Sequence, residues 1–458
     1  MVTGVEQPPL ARIAATVGDR APHPATVTAL AESLVGSLGP AQVSTVEAVR
    51  RAASTDFAHL SPILSAVLPA RLADIVTYPR SPDEIATVVR LAYEHQVAVT
   101  PRGAGTGNYG QAVPLAGGVV VDLTRCASVL ATGSGWIQAQ AGVTFVELEA
   151  AARAVGQEIA MLPTVVGSTL GGFLAGGAGG VGSIEHGWLW DGFVLSLDAI
   201  ACPPADKPST VHGRACLPYL HAYGVTGIIA SATVRLAPAV ARVAVLTSFT
   251  DLASAVAAGR SIMLLEEPPR LLSIDEPELV ATYQADPAMP RDRYSLRAVI
   301  RDTAVLREAI ESHGGRIEQV RRRGAAYLSS LAFNHVTLRA KRARPELCHL
   351  QVGGEALLTR IEEIRAALPG AMLHLDGLRT FLDPAEPHRG RGFGGLLLSP
   401  FRDTASLYRG IDRLRELGVV VVDPHTWLLD GPALPDIRAT AAQNDPQRLL
   451  NPGKLPLS

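Results

Sequence analysis

The stretch PTVVGSTLGGFLAGGAGG, residues 163–180, decides how the rest of the sequence is interpreted. It overlaps a segment, residues 167–192, that carries ten glycines in 26 positions. Such density opposes folding, because glycine loses more backbone entropy on ordering than any other residue. Close packing of helices or strands could explain it. We favour the alternative that this main chain approaches a large ligand closely.

A second glycine-rich stretch, PRGAGTGNYG, occupies residues 101–110. It lies between two predicted strands, VAVT at 97–100 and GVVVDL at 118–123. A Rossmann glycine motif would open a helix, and a P-loop would need GxxxxGK followed by Ser or Thr, so neither applies. Successive small residues can still form a nest of main-chain N–H groups that binds a pyrophosphate. Alone the stretch could be a plain turn, but the two stretches together favour a cofactor.

Helix and strand signals surround these stretches. Ser81, Pro82 and Glu84 predict a capped helix start, and Thr144 with Glu147 predicts another. Apolar runs predict strands at 74–79, 136–142, 191–202, 227–238, 243–249, 348–352 and 419–423. Beyond residue 239 the strands alternate with helical patterns that have a glycine near their C-terminal ends. The pattern predicts an α+β protein with helices packed on sheets.

Composition excludes several classes of protein. Lys and Arg number 41 against 43 Asp and Glu, so no basic surface for nucleic acid is expected. The four cysteines, which lack metal-ligand spacing, argue against a disulfide scaffold and a structural zinc site; they are Cys126, Cys202, Cys216 and Cys348. Because no run of about 20 apolar residues occurs and no signal peptide is recognisable, we expect a cytoplasmic protein without a membrane span.

The ordered combination of motifs resembles the FAD-binding domain of the vanillyl-alcohol oxidase/p-cresol methylhydroxylase (PCMH) flavoprotein superfamily. The matching elements are YPRSPDE (78–84), RGAGTG (102–107), VDL (121–123), GSTLGG (167–172), Gly187 with Asp191, and GVTGII (224–229). The tail DPQRLLNPGK (445–454) resembles the close of the glycolate oxidase and D-lactate dehydrogenase branch.

This resemblance implies the fold and its division into domains. We expect an α+β fold in which a PCMH-type FAD-binding domain of two α+β subdomains precedes an α+β cap, or substrate, domain with an antiparallel sheet. The expected boundaries are an N-terminal arm or short helices at 1–70, the FAD-binding domain at 71–238 (subdomains about 71–125 and 126–238), the substrate domain at 239–444, and a C-terminal segment at 445–458 that returns to the FAD domain. The sequence assigns no function to residues 1–70.

The resemblance also implies how FAD is held. The first stretch would bind the pyrophosphate, the second would line the flavin and phosphates, and the residues near 227 would meet the adenine half. Asn451 or Lys454 could return to the cofactor from the tail. The implied cofactor-binding residues are Arg102, Gly103, Ala104, Gly105, Thr106, Gly107, Asn108, Pro163, Thr164, Gly167, Ser168, Thr169, Gly172, Gly176, Gly177, Ala178, Gly179, Gly227, Ile228, Ile229 and Asn451.

Residues at two positions determine whether FAD can be attached through two covalent bonds. Members with bicovalent flavin carry His where this chain has Thr106 and Cys where it has Leu162, so neither bond can form. Non-covalent FAD is therefore expected. A single link from a histidine such as His374 or His425 stays open.

The implied reaction is hydride transfer from a C–O bond (an alcohol or 2-hydroxy acid) or a C–N bond of a small to mid-sized metabolite to flavin N5. The reduced flavin would then pass electrons to oxygen or another acceptor. His425, in VDPHTW (422–427), is a candidate base that Asp423 could orient, although Pro424 replaces the Glu of the branch. Tyr109 could reach the flavin ring. Each of these residues could instead be structural.

Further candidates lie between residues 372 and 391. His374 and Asp376 fall where the branch has a His-rich metal-binding segment, but the paired histidines are missing and no metal is expected. Arg379, with Arg389 and Arg391, could hold an anionic substrate, since arginine binds carboxylates with two parallel hydrogen bonds. His374 could equally be an ordinary strand histidine, and the arginines could belong to a solvated loop.

Two alternative functions stay open, and one segment of the chain differs from the pattern of close relatives. The same fold could serve an NAD(P)H-dependent reductase, as in the cell-wall UDP-sugar enolpyruvyl reductases, or a flavin-free binding relative. The connection CPPADKPSTVHG, residues 202–213, replaces the longer strand–turn–strand that close relatives have there. This departure weakens any transfer of substrate from the lactate and glycolate enzymes and suggests a specialised metabolic role.

Overall fold

The computed structural model describes residues 10–69, 71–301, 303–379 and 390–456, and these form two units. The N-terminal unit comprises the described residues of 10–178, 189–239 and 425–456. The central unit comprises those of 179–188 and 240–424. Arg389 and the ends of the two terminal segments lie outside the described residues. The domain boundaries expected from the sequence stay a prediction.

Helices occur in both units. Their bounds are α1 Leu10–Gly18, α2 Pro24–Leu38, α3 Glu47–Ala53, α4 Pro62–Val67, α5 Pro82–Glu94, α6 Phe145–Ala154, α7 Leu170–Gly176, α8 Ser183–His186, α9 Leu252–Met263, α10 Pro277–Val280, α11 Thr303–Ser312, α12 Ala325–Ser329, α13 Asn334–Ala343, α14 Ala356–Thr359, α15 Ile361–Ala367, α16 Thr404–Glu416 and α17 Leu434–Asn444. Within the described ranges, no helix is both long enough and apolar enough to cross a membrane.

Strands follow the alternation that the sequence predicts. Their bounds are β1 Val43–Ser44, β2 Ile75–Thr77, β3 Val99–Arg102, β4 Val119–Asp122, β5 Val129–Gly133, β6 Trp136–Gln140, β7 Gln157–Ile159, β8 Val194–Ile200, β9 Ser209–His212, β10 Ile228–Pro238, β11 Val243–Phe249, β12 Leu271–Asp275, β13 Tyr294–Ile300, β14 Arg316–Arg321, β15 Leu347–Gly353, β16 Met372–Arg379, β17 Arg391–Pro400 and β18 Val420–Val422.

The two predicted helix starts are confirmed. Ser81 Oγ accepts a hydrogen bond from the backbone N–H of Glu84 and so caps α5, which has Pro82 in its first turn. Thr144 and Glu147 form a reciprocal capping box at α6. These contacts satisfy N–H groups that have no partner within the first turn of a helix.

The N-terminal unit contains two sheets. The first has the order β1-β2-β4-β3, with β2 and β3 parallel to β4 and β1 antiparallel to β2. The first glycine-rich stretch connects β3 to β4 in this sheet. The second sheet has the order β5-β6-β10-β8-β9 with antiparallel pairs, and β7 adds to β10. The second glycine-rich stretch follows β7.

Residues 202–213 contain a strand that the sequence did not predict. Strand β9 pairs antiparallel with β8, so the chain does make a strand–turn–strand there. Thr210 is the register partner of Asp198, and its Oγ1 donates to Asp198 Oδ1 over 2.6 Å. This cross-strand bond helps to fix the register of a short, polar edge strand that lacks an apolar run.

The described strands of the central unit form one sheet, ordered β14-β11-β13-β12-β16-β17-β15-β18, in which every pair is antiparallel. Helix α9 packs directly on this sheet, because a Cβ at Gly259 would lie only 2.7 Å from Phe393 Cζ. Together with the two sheets of the N-terminal unit, this sheet confirms the predicted α+β class.

Candidate cofactor site

The two glycine-rich stretches, far apart in sequence, lie against each other in the N-terminal unit. A Cβ built on Gly103 would overlap Thr169 Oγ1, so the first stretch approaches the second more closely than any side chain allows. The hydroxyl oxygens of Thr106 and Ser168 lie 2.7 Å apart and share a hydrogen bond. This contact places the predicted pyrophosphate loop beside the predicted flavin-lining segment.

Gly105 takes a backbone conformation that favours glycine. Its φ is +67°, and an added Cβ would overlap the guanidinium group of Arg102. That guanidinium donates from Nη1 to the Thr55 carbonyl over 3.0 Å and from Nη2 to the Ala52 carbonyl over 3.3 Å. The Arg102 side chain therefore supports the turn from within the protein, and only its main chain stays a predicted contact of the cofactor.

Gln111 joins the two stretches, a role that sequence reasoning missed. Its Oε1 accepts from the Tyr109 backbone N–H over 3.1 Å, and its Nε2 donates to the Gly176 carbonyl over 3.4 Å. The residue is 9% exposed. A polar side chain directly after the glycine run, before an otherwise apolar segment, was the available signal.

The glycines of the second stretch divide into two groups. A Cβ at Gly171 would lie 2.7 Å from Ala141 Cβ, and one at Gly177 would lie 2.5 Å from the Phe173 ring. Close packing therefore accounts for both. Gly167 has no neighbouring atom within 4 Å of a built Cβ, so packing does not require a glycine there. Close packing thus explains part of the run, and Gly167 stays a predicted contact of the cofactor.

The second stretch is shaped by Thr169. Its Oγ1 caps α7 by accepting from the Gly172 N–H over 3.2 Å. Ser168, its neighbour, donates its own backbone N–H to the Val165 carbonyl over 2.8 Å. These bonds close the chain from Val165 to Gly172 into a tight turn whose position is fixed beside the first stretch. Pro163 and Thr164 lead into this turn.

A third segment, residues 221–227, extends this arrangement. The backbone N–H groups of His221 and Tyr223 donate to the carbonyls of Leu174 and Ala175, each over 2.9 Å. A Cβ at Gly224 would lie 2.5 Å from Pro101 Cγ, at the end of β3. The segment thus touches both glycine-rich stretches. The predicted adenine contacts Gly227, Ile228 and Ile229 follow it at the start of β10.

Buried oxygens on these segments suit a polar ligand. Within the described chain, Asn108 Oδ1, Thr226 Oγ1 and Asn451 Oδ1 are buried without a hydrogen-bond partner. Buried polar atoms in native proteins are nearly always hydrogen-bonded, so these three oxygens leave capacity for a bound group. A cofactor that carries phosphates, hydroxyls and ring N–H groups can satisfy both these oxygens and the open main chain. The residues present therefore fit FAD.

Two of the predicted catalytic residues lie in the N-terminal unit. His425 is fully buried, and its Nδ1 lies 2.7 Å from Ser61 Oγ. Ser61 also caps α4 by accepting from the Leu64 N–H over 3.2 Å, so its position is fixed from both sides. Tyr109 is half-buried and packs against an apolar cluster that includes Trp427.

His374 and Asp376 lie in a buried ionic network of the central unit. His374 Nδ1 is 2.5 Å from Asp275 Oδ1, and its Nε2 is 2.8 Å from Asp376 Oδ2. Asp275 also binds Arg297 over 2.6 Å and accepts from the Tyr283 hydroxyl over 2.7 Å. Burial lowers the pKa of His374, but the two carboxylates outweigh it and raise that pKa to about 9. His374 is therefore an imidazolium, and two cations balance two carboxylates.

Both ring nitrogens of His374 are hydrogen-bonded to carboxylates of this network. In the described part of the chain, no group of three or more His, Cys, Asp or Glu side chains is arranged to hold a metal ion. Burial raises the pKa of Asp275, and Arg297 and His374 more than reverse this, so its pKa is lowered.

The remaining predicted site residues are distributed over the central unit. Asp423 Oδ2 accepts from the Tyr408 hydroxyl over 2.6 Å. Arg379 and Arg391 are register partners across β16 and β17, and the Arg379 carbonyl accepts from Trp188 Nε1 over 2.9 Å. Gly179 also belongs to this unit, where a Cβ would lie 2.9 Å from the Trp188 ring. Ala178, its neighbour, belongs to the N-terminal unit.

One segment of the chain matches a known family of domains. Residues 73–202 match the family described as an FAD binding domain, and this segment contains both glycine-rich stretches. The chain therefore carries an FAD-binding domain of the PCMH type. The predicted resemblance and the predicted cofactor, FAD, are confirmed.

Individual relatives match smaller parts of the chain. D-lactate dehydrogenase of Archaeoglobus fulgidus is 30% identical over 175 residues, 36% of this chain and 39% of that protein. D-2-hydroxyglutarate dehydrogenase of Escherichia coli is 36% identical over 136 residues, 28% of this chain and 13% of that protein. The chain thus matches well under half the length of these curated relatives.

A solved structure extends the likeness over the whole fold. An alkyldihydroxyacetonephosphate synthase superposes with a TM-score of 0.69 and 17% identity, covering 94% of this chain and 85% of that one. At this level of identity the match shows a shared fold and carries no information about the substrate.

Proposed function

We propose that the protein is an FAD-dependent oxidoreductase, an oxidase or dehydrogenase that takes hydride from a C–O or C–N bond of a small to mid-sized metabolite. The observation that carries this proposal is the meeting of the two glycine-rich stretches inside a segment that matches an FAD binding domain. The names of the relatives favour an alcohol carbon, as in 2-hydroxy acids. When bound, FAD supplies the acceptor for two electrons at its N5 position.

The N-terminal unit would bind the cofactor largely through main chain. The N–H groups between Gly103 and Asn108 would hold the pyrophosphate, and the Arg102 guanidinium behind the turn would add positive potential. The side-chain oxygens of Asn108, Thr226 and Asn451 would accept hydrogen bonds from the hydroxyl and amino groups of the cofactor. Non-covalent attachment is part of this proposal, and acid precipitation tests it by releasing all flavin into the supernatant.

We assign the proton transfer to His425. His425 Nε2 would take the hydroxyl proton of the substrate as the hydride leaves the substrate carbon. Ser61 would hold Nδ1 of His425 and so fix the orientation of the ring. His374 is unsuited to this task at neutral pH, because it already carries a proton between two carboxylates. Asp423 stays a candidate for orienting the imidazole, and Tyr109 for contact with the flavin ring.

The role of His425 is tested by anaerobic stopped-flow reduction of the bound flavin. His425→Ala should slow reduction by substrate about 100-fold or more, the usual effect of removing a positioned base. His95→Ala, at the end of α5, is the matched control and should leave the rate unchanged. An unchanged rate in His425→Ala would remove this residue from the mechanism.

An anionic substrate is the third part of the proposal. Arg379 and Arg391 face each other across two strands, and like charges in directly opposed positions destabilise a sheet. Arg391 is partly offset by Glu185, and its Nη1 donates to the carbonyls of Met263 and Leu265. A carboxylate or phosphate of the substrate would be attracted by both guanidinium groups. Arg379→Met should raise KM for an anionic substrate more than it lowers kcat.

One experiment tests the proposed class. Purified protein reconstituted with FAD is mixed anaerobically with D-lactate, D-2-hydroxyglutarate, glycolate, simple alcohols and amines, and separately with NADPH. We expect bleaching by a member of the alcohol or amine panel and none by NADPH, followed by reoxidation with oxygen or an artificial acceptor. Rapid bleaching by NADPH alone would establish a reductase instead, and protein that takes up no FAD would establish a flavin-free relative.

We also propose a cytoplasmic location. All four cysteines are free thiols and buried, as expected in a reducing compartment. Fractionation of the native cells with antibody detection tests this, and recovery in a membrane or extracellular fraction would contradict it.

A further inference from the structure

The C-terminal segment, residues 449–454, is built into the cofactor site of the N-terminal unit. The Val99 N–H donates to the Leu449 carbonyl over 2.8 Å, and the Asn451 N–H donates to the Val99 carbonyl over 2.7 Å, which extends the sheet edge at β3. The Asp445 carboxylate accepts from the N–H groups of Leu449 and Leu450 and fixes the approach. The segment therefore reaches the strand from which the first glycine-rich stretch departs.

Asn451 joins two parts of the site through its side chain. It is 1% exposed, and its Nδ2 donates to the carbonyls of Gln111 and Tyr223, each over 2.7 Å. Gln111 directly follows the first stretch, and Tyr223 belongs to the segment that touches both stretches. One amide group thus fixes the distance between two loops that are separated in sequence.

Lys454 binds two further carbonyls of the same loop, one before and one after Gln111. Its side chain is fully buried, and its Nζ donates to the carbonyl of Gly110 over 2.6 Å and to that of Val113 over 3.1 Å. The ammonium also lies 5.9 Å from the centre of the Trp427 ring. Burying a charged amine opposes folding unless its hydrogen bonds and neighbouring charges compensate. Filling space alone therefore does not explain why an ammonium group is buried at this position.

The N-terminal helical segment supplies the opposing charge. Asp56 is 4% exposed, and it interacts electrostatically with Lys454. Its Oδ1 accepts from the Ala58 N–H over 2.9 Å, and the following residue, Phe57, donates its N–H to the Gly107 carbonyl over 2.8 Å. Burial lowers the pKa of Lys454 to about 7 in spite of Asp56. The loop is held from both ends of the chain.

Peptide geometry connects these bonds with the cofactor. In a trans peptide the carbonyl and the next N–H point in opposite directions. Lys454 and Asn451 bind the carbonyls of Gly110 and Gln111, so the N–H groups of Gln111 and Ala112 each point away from the donor that holds the preceding carbonyl. Main-chain N–H groups directed away from the protein's own donors can contribute to an anion-binding nest.

We infer that Lys454 and Asn451 are positioning residues for FAD, which act by holding the carbonyls of the first glycine-rich stretch and its neighbouring turn. This inference rests on the proposed location of the cofactor. Neither residue needs to touch FAD through these donors, since both sets of hydrogen bonds end on protein carbonyls. The tail that resembles the glycolate oxidase and D-lactate dehydrogenase branch would thus act through one amide and one ammonium group, which bind the carbonyls of the loop.

The test compares two buried lysines in the FAD-reconstituted full chain. Lys454→Met removes the donors with little change of volume, and we expect the dissociation constant of FAD to rise about 10-fold to 100-fold. Lys341→Met is the matched control. Lys341 is 4% exposed in the central unit, where its Nζ lies 2.9 Å from His349 Nδ1, and its loss should leave FAD affinity unchanged.

A local readout separates positioning from general stability. Hydrogen exchange of residues 103–113 in the apoprotein should be faster in Lys454→Met than in the wild type, with α6 unchanged. Asn451→Ala should show the same pattern and is the second variant if Lys454→Met does not fold. Folded variants with wild-type FAD affinity would overturn the inference, as would failure of both to fold at saturating FAD, since their role would then be purely structural. Wild-type protein that binds no FAD would instead overturn the proposed function.

Discussion

Two buried titratable cations, Lys454 in the N-terminal unit and His374 in the central unit, have opposite surroundings. In the N-terminal unit, Lys454 donates to main-chain carbonyls, and burial lowers its pKa to about 7. In the central unit, His374 lies between Asp275 and Asp376, and these carboxylates raise its pKa to about 9 although burial alone would lower it. The first cation shapes a loop, whereas the second joins strands β12 and β16.

The two units therefore use a buried cation for different tasks. A cation that holds carbonyls leaves main-chain N–H groups available for a ligand, as the proposed binding of phosphates by the backbone of the N-terminal unit requires. His374 has both ring nitrogens bonded to carboxylates, so it has no donor left for a ligand. It instead connects neighbouring strands within a sheet. Substitutions at the two sites and at a distant helix cap should therefore have different effects.

Removal of His374 should have the largest effect. In His374→Ala, Asp275 keeps Arg297, but Asp376 loses its charged partner in a site without solvent. We expect the free energy of unfolding, measured by urea denaturation, to fall by about 3–5 kcal/mol, as when one partner of a buried ion pair is removed. Arg307→Ala, which breaks the exposed pair with Glu311, should change it by less than about 0.5 kcal/mol. Equal effects of the two variants would contradict the contrast.

Gly105→Val should act on the cofactor rather than on the fold. The side chain must adopt a φ near +67° and displace the Arg102 guanidinium, so we expect FAD affinity, measured by fluorescence titration, to fall about 100-fold. Gly135→Val is the control, because Gly135 has a φ of +81° in the same unit but no atom within 4 Å of a built Cβ. Stoichiometric FAD in Gly105→Val would argue against a pyrophosphate nest at this turn.

The two cations should give stability profiles of opposite slope with pH. The raised pKa of His374 means that its stabilising contribution is fully present below about pH 6.5 and is lost as pH rises through 9. The lowered pKa of Lys454 means that the unfolded chain binds more protons above pH 7, so its contribution rises toward pH 10.5.

Urea denaturation at pH 7, 8 and 9 measures both slopes. The difference in the free energy of unfolding between wild type and His374→Ala should decrease by at most about 1.4 kcal/mol per pH unit as pH rises. The corresponding difference between wild type and Lys454→Met should increase. Parallel profiles for the two variants would show that the two sites do not differ in the way described.

The smallest effect is expected at a helix cap that touches neither site. Ser81→Ala removes the acceptor for the Glu84 N–H at the start of α5 and should lower the free energy of unfolding by about 1 kcal/mol. FAD affinity should stay within about twofold of the wild type, as expected for a distant, independent site. A larger change in affinity would mean that the cofactor site responds to stability in general.

The contrast also explains what the sequence could predict. A site made of main chain leaves glycines at fixed places, so Gly105 and the Ser168–Thr169 turn were recognisable from the sequence. Gln111 was missed, because its role depends on the Gly176 carbonyl, which the sequence does not place beside it. Capping boxes and apolar strands were predicted because their signals are local.

Side-chain networks leave no such trace. Asp275 and Arg297 come from strands far from His374 in sequence, and no spacing rule connects them. The sequence therefore offered His374 as a catalytic or strand histidine without its partners. The β8–β9 hairpin was missed for a related reason, since the polar strand Ser209–His212 depends on pairing with β8 rather than on an apolar pattern.

Hydrogen exchange of the wild-type protein with and without one equivalent of FAD tests the central claim most directly. We expect FAD to slow exchange in both glycine-rich stretches together, at residues 103–110 of the first and 164–177 of the second, with the same dependence on FAD concentration. Slower exchange in only one of the two stretches, or in neither at saturating FAD, would contradict the claim that they close around one cofactor.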